Sequence, residues 1–515
     1  MNWIAKLKLL MVLPVRVSSF YAPLSTKRLT STTHITLDDN RFCSHPSRHL
    51  RHVQLSSTET ETYPNGQNES YGLYVHIPFC RRRCNYCDFA IVPIGKESSS
   101  NTGFAKINQQ YTDALLTELS MIAASTSSKI LLRSIYFGGG TPSLAPLSTL
   151  EKIMHAIYKS DSSPFLLDED AEVTIEMDPG TFDLDKLKAV KEMGFNRISL
   201  GVQSLDDTIL QTLGRVHRSS DVYSSIDMIR QVYGEEGSNY SIDLISGVPG
   251  LTLAAWTETL YKATRLHPRP LHISLYDLQV EAGTAFGKWY DGGDTRDDAE
   301  TSPAVSIQIK TSNHPALPST EECAWQYKYA SGYLRNKGYE HYEISSYAYN
   351  GQSSTVSHRS KHNQIYWEMS GQWYSIGLGS TSSLNCVRYA RPRALSDYIS
   401  WTRKLTKSSK PPWLLSTEQT IDKESERKLL DIVMTRLRTS DGLDLDQIAG
   451  QTQFKEAHVD SILRGFQLAI DLDLGTINTS GDHKYGLMRL KDPNGFLFSN
   501  NIISNIFMEL DLESD

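Results

Sequence analysis

The chain has 515 residues, 39% of them hydrophobic and 22% charged, with a mean hydropathy of −0.37. This is the composition of a globular protein with room for two or three domains of roughly 100 to 200 residues each, and it excludes collagen-like, coiled-coil and disulfide-scaffold architectures. Lys and Arg total 52 against 59 Asp and Glu, a net charge of −7, so no basic surplus marks nucleic acid as a partner.

Up to residue 37 the chain carries no acidic residue, while Lys6, Lys8, Arg16, Lys27 and Arg28 lie among serines and threonines. That is the composition of an organelle-targeting presequence, and residues 1–62 are read as presequence and linker. The apolar run 9–15 falls well short of the about 20 residues needed to span a bilayer. The stretch Val17-Ser18-Ser19-Phe20-Tyr21-Ala22-Pro23 resembles the cleavage motif of bipartite plastid presequences. Mitochondrion and plastid are therefore both open as destinations.

From residue 63 to 290, short β-rich runs alternate with helical periods. Strands are expected at 73–77, 134–137, 172–176, 197–200, 241–245 and 272–275, and helices at 104–123, 149–158, 184–193, 206–213, 221–232 and 253–266. That rhythm implies βα units, parallel pairing and an α/β barrel or partial barrel, with chemistry at the carboxyl ends of the strands. Residues 291–319 read as a polar surface insertion. An extension spans 320–416, with a helix at 324–337 and a strand at 339–345. A small helical, winged-helix-like domain spans 417–515, with helices at 424–437, 445–449 and 459–472 and a strand at 484–490.

Cys80, Cys84 and Cys87 form a CxxxCxxC loop directly after the first strand. Three thiolates at this spacing can hold a 4Fe-4S cluster while leaving one iron open to an external chelate. Arg81, Arg82 and Arg83 would stabilise thiolates and a reducible cluster. A zinc site is the weaker alternative, because a closed site wants a fourth ligand and His76 lies within the strand. Gly138-Gly139-Gly140-Thr141-Pro142 follows the second strand, where glycines allow close backbone approach to a ligand; alone it could be a tight βα turn. Glu176, Gln203, Arg215 and Asp243 are polar residues at or just past strand positions. Read singly, each could be a structural bridge. Cys323 and Cys386 read as small buried hydrophobes, and His341 and His358 carry no assignment.

The segment YVHIPFCRRRCNYC resembles the cluster loop of the radical S-adenosylmethionine (SAM) superfamily. More narrowly, it is similar to the family of the oxygen-independent coproporphyrinogen III oxidase. The resemblance continues in order through YFGGGTPS, TIEMDPGT, NRISLGVQSLDD, LGRVHR, SIDLISGVPG, HISLYDLQVEAGT, GYEHYEISSYA, HNQIYW and IGLGS, covering most of residues 72–385. It implies a partial (β/α)6 barrel and a 4Fe-4S cluster on Cys80, Cys84 and Cys87. It further implies SAM contacts from Tyr74, Tyr86, Gly139, Gly140, Thr141, Glu176, Gln203, Arg215 and Asp243, with Arg215 able to pair with the cofactor carboxylate. In this superfamily a reduced cluster passes one electron to the sulfonium, giving methionine and a 5'-deoxyadenosyl radical.

Two branches of the family differ at legible positions. The oxidase carries a further cysteine two residues after the last cluster ligand, whereas this chain has Cys87-Asp88-Phe89. That form, together with His362-Asn363-Gln364-Ile365-Tyr366-Trp367, resembles the haem chaperone branch, called HemW in bacteria. The branch implies haem as cargo, haem-accepting proteins and an electron donor as partners, peripheral membrane association through the acceptors, and a mitochondrial destination ahead of a plastid one. His362 is the candidate axial ligand of haem, with Tyr366 and Trp367 as an apolar face; the same residues could instead form a packing turn. The oxidase, decarboxylating coproporphyrinogen III, is the alternative. A structural zinc protein ranks last.

Overall fold

The computed structural model describes residues 71–95, 102–235, 238–290, 314–351, 357–385, 387–405, 421–479 (side chains from 426) and 484–510. The expected presequence, most of the 291–319 insertion and Cys386 lie outside the described residues. The chain divides into two units. The described residues belong to the one that contains 70–515, and the other, 20–69, is outside them.

The expected strands are all present: β1 (Tyr71–Ile77), β4 (Ile130–Gly139), β5 (Phe165–Met177), β6 (Arg197–Gln203), β7 (Tyr240–Ser246) and β8 (His272–Asp277), parallel neighbours in that order. The short pair β2 (Phe79–Cys80) and β3 (Val92–Pro93) brackets the cysteine loop. Past β8 the sheet continues antiparallel into β10 (Ser346–Tyr349) and β9 (Tyr339–Glu343). Past β1 it gains three strands the sequence reading lacked. β11 (Trp373–Ile376) lies parallel to β1, and the antiparallel β12 (Thr381–Leu384) and β13 (Val387–Ala390) follow, giving an open sheet of eleven strands.

Side-chain alternation gives this sheet two unlike faces. Leu73, Val75 and Ile77 of β1, Ile135 and Phe137 of β4, Val173 and Ile175 of β5 and Ile198 and Leu200 of β6 are buried in one apolar core. Helices Thr102–Ser125, Leu147–Met154, Leu184–Glu192, Ser219–Tyr233 and Leu253–Ala263 supply its other wall. On the opposite face the same strands carry Tyr74 and His76, Ser134 and Tyr136, Glu172 and Glu176, Arg197 and Ser199, Ser241 and Asp243, His272 and Ser274. Parallel sheets buried on both sides are normally apolar throughout, so a polar inner face marks the inside of a barrel built around something polar.

The sheet curls. The short helix Lys361–Trp367 touches Ser134 of β4 through His362 and touches Tyr342, Glu343 and Ser346 of β9 and β10 through Asn363. In a flat sheet β4 and β10 would lie five places apart, or ~24 Å at the usual strand spacing.

The C-terminal part has its own core, in which Leu429, Val433, Ile462, Phe466, Met488 and Ile506 meet. Helices Ile421–Arg436, Leu445–Ala449, Glu456–Asp471 and Ser499–Glu509 surround a small sheet of β14 (Leu443–Asp444), β16 (Leu487–Leu490) and β15 (Gly475–Asn478). No helix among the described residues is long and apolar enough to cross a membrane.

Candidate functional site at the barrel mouth

Cys80 ends β2, and the loop carrying Cys84 and Cys87 folds over the carboxyl ends of the strands. All three are half-buried free thiols. The loop is laced to the barrel by backbone contacts. Asn85 donates from its N–H to Leu213 O at 3.0 Å and from its side chain to Thr212 O at 2.8 Å. Arg82 donates to Gly214 O at 2.7 Å, Arg81 to Gly180 O at 2.9 Å, and Arg83 to Cys87 O and Phe89 O at 3.0 and 2.9 Å. The arginine run therefore holds the loop's shape as well as adding charge. Gly214, at φ +77°, has Asn85 where a Cβ would stand.

Burial pushes the Cys80 thiol up to about 12 and the Cys87 thiol up to about 11, so an electrophile must displace their protons. Two donors face the sulfurs: Thr141 Oγ1 lies 3.6 Å from Cys80 Sγ, and Arg215 donates towards Cys84 Sγ across 3.7 Å. Among the described residues no group of His, Cys, Asp or Glu is disposed to hold a single metal ion. A cube bound by three cysteines has a different requirement, since each thiolate takes its own iron.

The glycines also have a packing role. A Cβ on Gly139 would strike the His76 ring at 2.4 Å, and one on Gly140 would strike the Pro78 backbone at 2.6 Å. Glycine at these positions serves the packing of β4 against β1, and the N–H groups of Gly139, Gly140 and Thr141 are already bonded to Glu176, Ile77 O and Phe79 O.

Below the loop lies an acidic cluster. Glu176 accepts from Tyr136 OH at 2.8 Å and from Gly139 N at 3.0 Å. It keeps some accessible surface although it lies deep among protein atoms, as a residue lining a concave interior does; burial and then the neighbouring Asp243 push it up to about 8. Asp243, hydrogen-bonded by Ser274 and Ser199, is pushed up to about 6, mainly by burial. Asp178 was missed at the sequence level. It directly follows β5, pairs with Arg215 and accepts from Thr141 at 3.2 Å. Arg215 also donates to Gly201 O at 3.1 Å, and its buried Nε has no partner. Gln203 ends β6 at φ +63°, a left-handed conformation costly for a residue with a side chain. Tyr86 is enclosed between Cys84, Cys87, Arg215 and Asp178. Tyr74 lies further in, hydrogen-bonded to His76 Nδ1 at 3.2 Å and stacked on Tyr136.

These residues fit a ligand that is cationic at one end and anionic at the other. Raised carboxylates gain from a positive partner, and the orphaned Arg215 Nε gains from a carboxylate.

His362 lies inside the barrel on the floor side of this cluster, over Gly72 at the start of β1 and Ser134 midway along β4, with its ring stacked 5.1 Å from Tyr136 and 6.5 Å from Tyr74. Its ring is 2% exposed, with Nδ1 bonded to Ser134 Oγ and Nε2 to Tyr366 OH, both at 2.8 Å. Burial, helped by Arg133, lowers it to about 3, so it is neutral, yet neither nitrogen is free for an iron. Without a ligand, HNQIYW therefore packs through His362 against Ser134 and Tyr366, the packing arrangement that the sequence left open beside axial ligation. His341 is likewise buried, bonded to Asp492 at 2.8 Å. Cys323 is a half-buried free thiol near Asp277.

A half-open barrel with three cysteines over a polar, acid-lined mouth is the architecture of a radical SAM protein, and the model of the radical SAM superfamily matches residues 74–262. The chain is 34% identical over 445 residues to the heme chaperone HemW of Synechocystis, a match covering 85% of this chain and 96% of that one. It is 31% identical to the mouse mitochondrial radical S-adenosyl methionine domain-containing protein 1, over 64% of each chain. In fold it is similar to the coproporphyrinogen III oxidase HemN of Escherichia coli, a radical SAM enzyme, with a TM-score of 0.63 at 19% identity, covering 85% of this chain and 90% of that one. The chain belongs to the HemW/HemN-like family of radical SAM proteins.

Proposed function

We propose that this protein is a haem chaperone that carries a 4Fe-4S cluster and SAM and delivers haem to haem-accepting proteins. The observation that carries the reading is the cysteine loop itself. Three thiols stand over the barrel mouth, and the position two residues beyond Cys87 is Phe89, whose side chain is 46% exposed. The Synechocystis relative named as a chaperone spans nearly the same length.

In this reading Cys80, Cys84 and Cys87 hold three irons of the cluster, which supplies one-electron reduction of a bound sulfonium from an external electron donor. Arg215 and Thr141 stabilise the thiolates they face. Glu176 and Asp243 take the cationic end of SAM, Arg215 Nε its carboxylate, and Gln203, Tyr74, Tyr86, Gly139 and Gly140 shape the pocket around it. Peripheral membrane association would come through the acceptors. The acid-free first 37 residues support an organelle, and the likeness to the mouse mitochondrial relative puts the mitochondrion ahead of the plastid.

The test is anaerobic reconstitution of the full chain with iron and sulfide, followed by haem or coproporphyrinogen III in parallel, each with SAM. Haem retained and passed to an apo-haem protein, with no protoporphyrinogen formed, is the expected result. Turnover to protoporphyrinogen without haem retention would replace the chaperone with the oxidase, and failure to assemble any cluster would end both.

A further inference from the structure

Away from the mouth, three cations share one hollow. The turn after helix Leu253–Ala263 and the C-cap of helix Thr320–Asn336 line a pocket of about 440 Å³ with Thr264, Arg265, Leu266, His267, Arg269 and Lys337. It lies beside the start of β8, at the floor end of the barrel.

Arg265, Arg269 and Lys337 are exposed, and among the described residues none has a carboxylate within ion-pair distance. The acid at the rim is Glu235, 3.2 Å from His267. Each cation lies over a tyrosine ring instead: Arg265 over Tyr261 at 4.2 Å, Arg269 over Tyr349 at 4.6 Å and Lys337 over Tyr333 at 5.4 Å from the ring centroids. Helix carbonyl ends draw Arg265 and Lys337 to this place, but Arg269 has no such reason and still lines the same pocket. Ring contacts hold the side chains in position before any ligand arrives, which lowers the ordering cost of binding. In a chain of net charge −7, three unneutralised cations on one concave surface of small-molecule size make a site for an anion. Two guanidinium forks and an ammonium match the several oxygens of a phosphate better than a single carboxylate.

We propose that this pocket binds a phosphate-bearing anion. The site is independent of the cluster and of SAM, so its test stands apart from the reading above.

The experiment uses the full chain and the variant Arg269→Gln/Lys337→Gln. Both substitutions are exposed, and an unchanged melting temperature verifies the fold. Calorimetric titration with inorganic pyrophosphate tests a free phosphate, and co-sedimentation with phosphatidylcholine vesicles, with or without phosphatidylglycerol, tests a lipid headgroup. Saturable pyrophosphate binding that weakens at least ~10-fold in the variant and falls with added salt supports a soluble ligand. Sedimentation that requires phosphatidylglycerol and is lost in the variant supports a headgroup. Absence of both, or either one unchanged in the variant, overturns the proposal.

Discussion

Glu172 and Glu176 lie on the same strand and point into the same barrel, four residues apart. Glu172, at the floor, faces Arg197 at 3.3 Å and accepts from Ser360 Oγ at 3.0 Å and from His362 N at 3.2 Å. Glu176, at the mouth, takes its two hydrogen bonds from a phenol and a backbone amide, and it stands beside Asp243 and Asp178. The protein compensates the floor carboxylate with a cation of its own. At the mouth it gathers three acids, with Arg215 turned to Asp178 and Cys84, and leaves Glu176 to be matched from outside. Under the proposed function the floor stabilises and the mouth binds, the division expected between the two ends of a βα barrel.

The largest effect that can break this comparison falls on the thiols. Cys84→Ser is expected to abolish the iron–sulfur absorption and the bound iron after reconstitution while moving the melting temperature of the iron-free protein little, because Cys84 is only half-buried. Iron retained at the wild-type level would remove the cluster from the mouth. The two glutamates follow. Glu172→Gln leaves Arg197, which is 2% exposed, buried beside a neutral amide, and is expected to cost about 3–5 kcal/mol in denaturant unfolding. Glu176→Gln replaces a carboxyl that burial already holds largely protonated near neutral pH, so stability should hold, while SAM affinity drops roughly tenfold, about 1.4 kcal/mol, in calorimetric titration because the amide cannot ionise beside a cation. If the two variants exchange these phenotypes, the assignment of floor and mouth is reversed.

Much of the barrel was legible because its outer face obeys simple periods. Each expected strand and helix of the core exists, with ends displaced by a few residues, since apolar alternation and i, i+4 spacing are local signals. The inner face was equally local, in the alternate positions Tyr74/His76, Ser134/Tyr136, Ser199/Gly201 and Ser241/Asp243, but a search for β-branched runs passes over polar residues in parallel strands. Asp178 carried the same kind of signal, as an acid directly after a strand end. What no local pattern could show is long-range placement. β11 pairs with β1 across some three hundred residues of chain, and HNQIYW gives no local sign that His362 packs against Ser134 of β4 and stacks on Tyr136.

Proton uptake sharpens the contrast further. Because folding lowers His362 from its usual 6.5 to about 3, the stability that comes with its neutral ring is complete above about pH 6.5 and is lost as pH falls towards 3. Such a group lets stability fall by at most about 1.4 kcal/mol per pH unit below that point. His76 and His217, each lowered to about 4 chiefly by burial, add to the trend. Denaturant midpoints from about pH 7 down to about pH 5 should fall for the wild type. His362→Gln starts less stable, having lost two buried hydrogen bonds, and should fall less steeply. Parallel slopes would show that the floor histidine does not titrate with unfolding.

The smallest expected effect tests whether the mouth keeps strain for its ligand. Gln203 holds φ +63° at the end of β6, where the pairing with β7 shifts register and its side-chain amide comes close to Gly201 and, through it, to Arg215. Glycine adopts that backbone without a Cβ penalty, so Gln203→Gly is expected to stabilise the fold by up to about 1 kcal/mol after allowance for the extra chain entropy of the unfolded state. Residues that only shape a turn gain from that exchange and lose nothing else. Gln203, if it contacts SAM, should give a protein that melts later and binds the cofactor more weakly, measured by thermal unfolding and titration of the reconstituted protein. A variant that is more stable with unchanged SAM affinity would make Gln203 a feature of the β6 bulge alone, and the strain at the mouth would then have no bearing on the ligand.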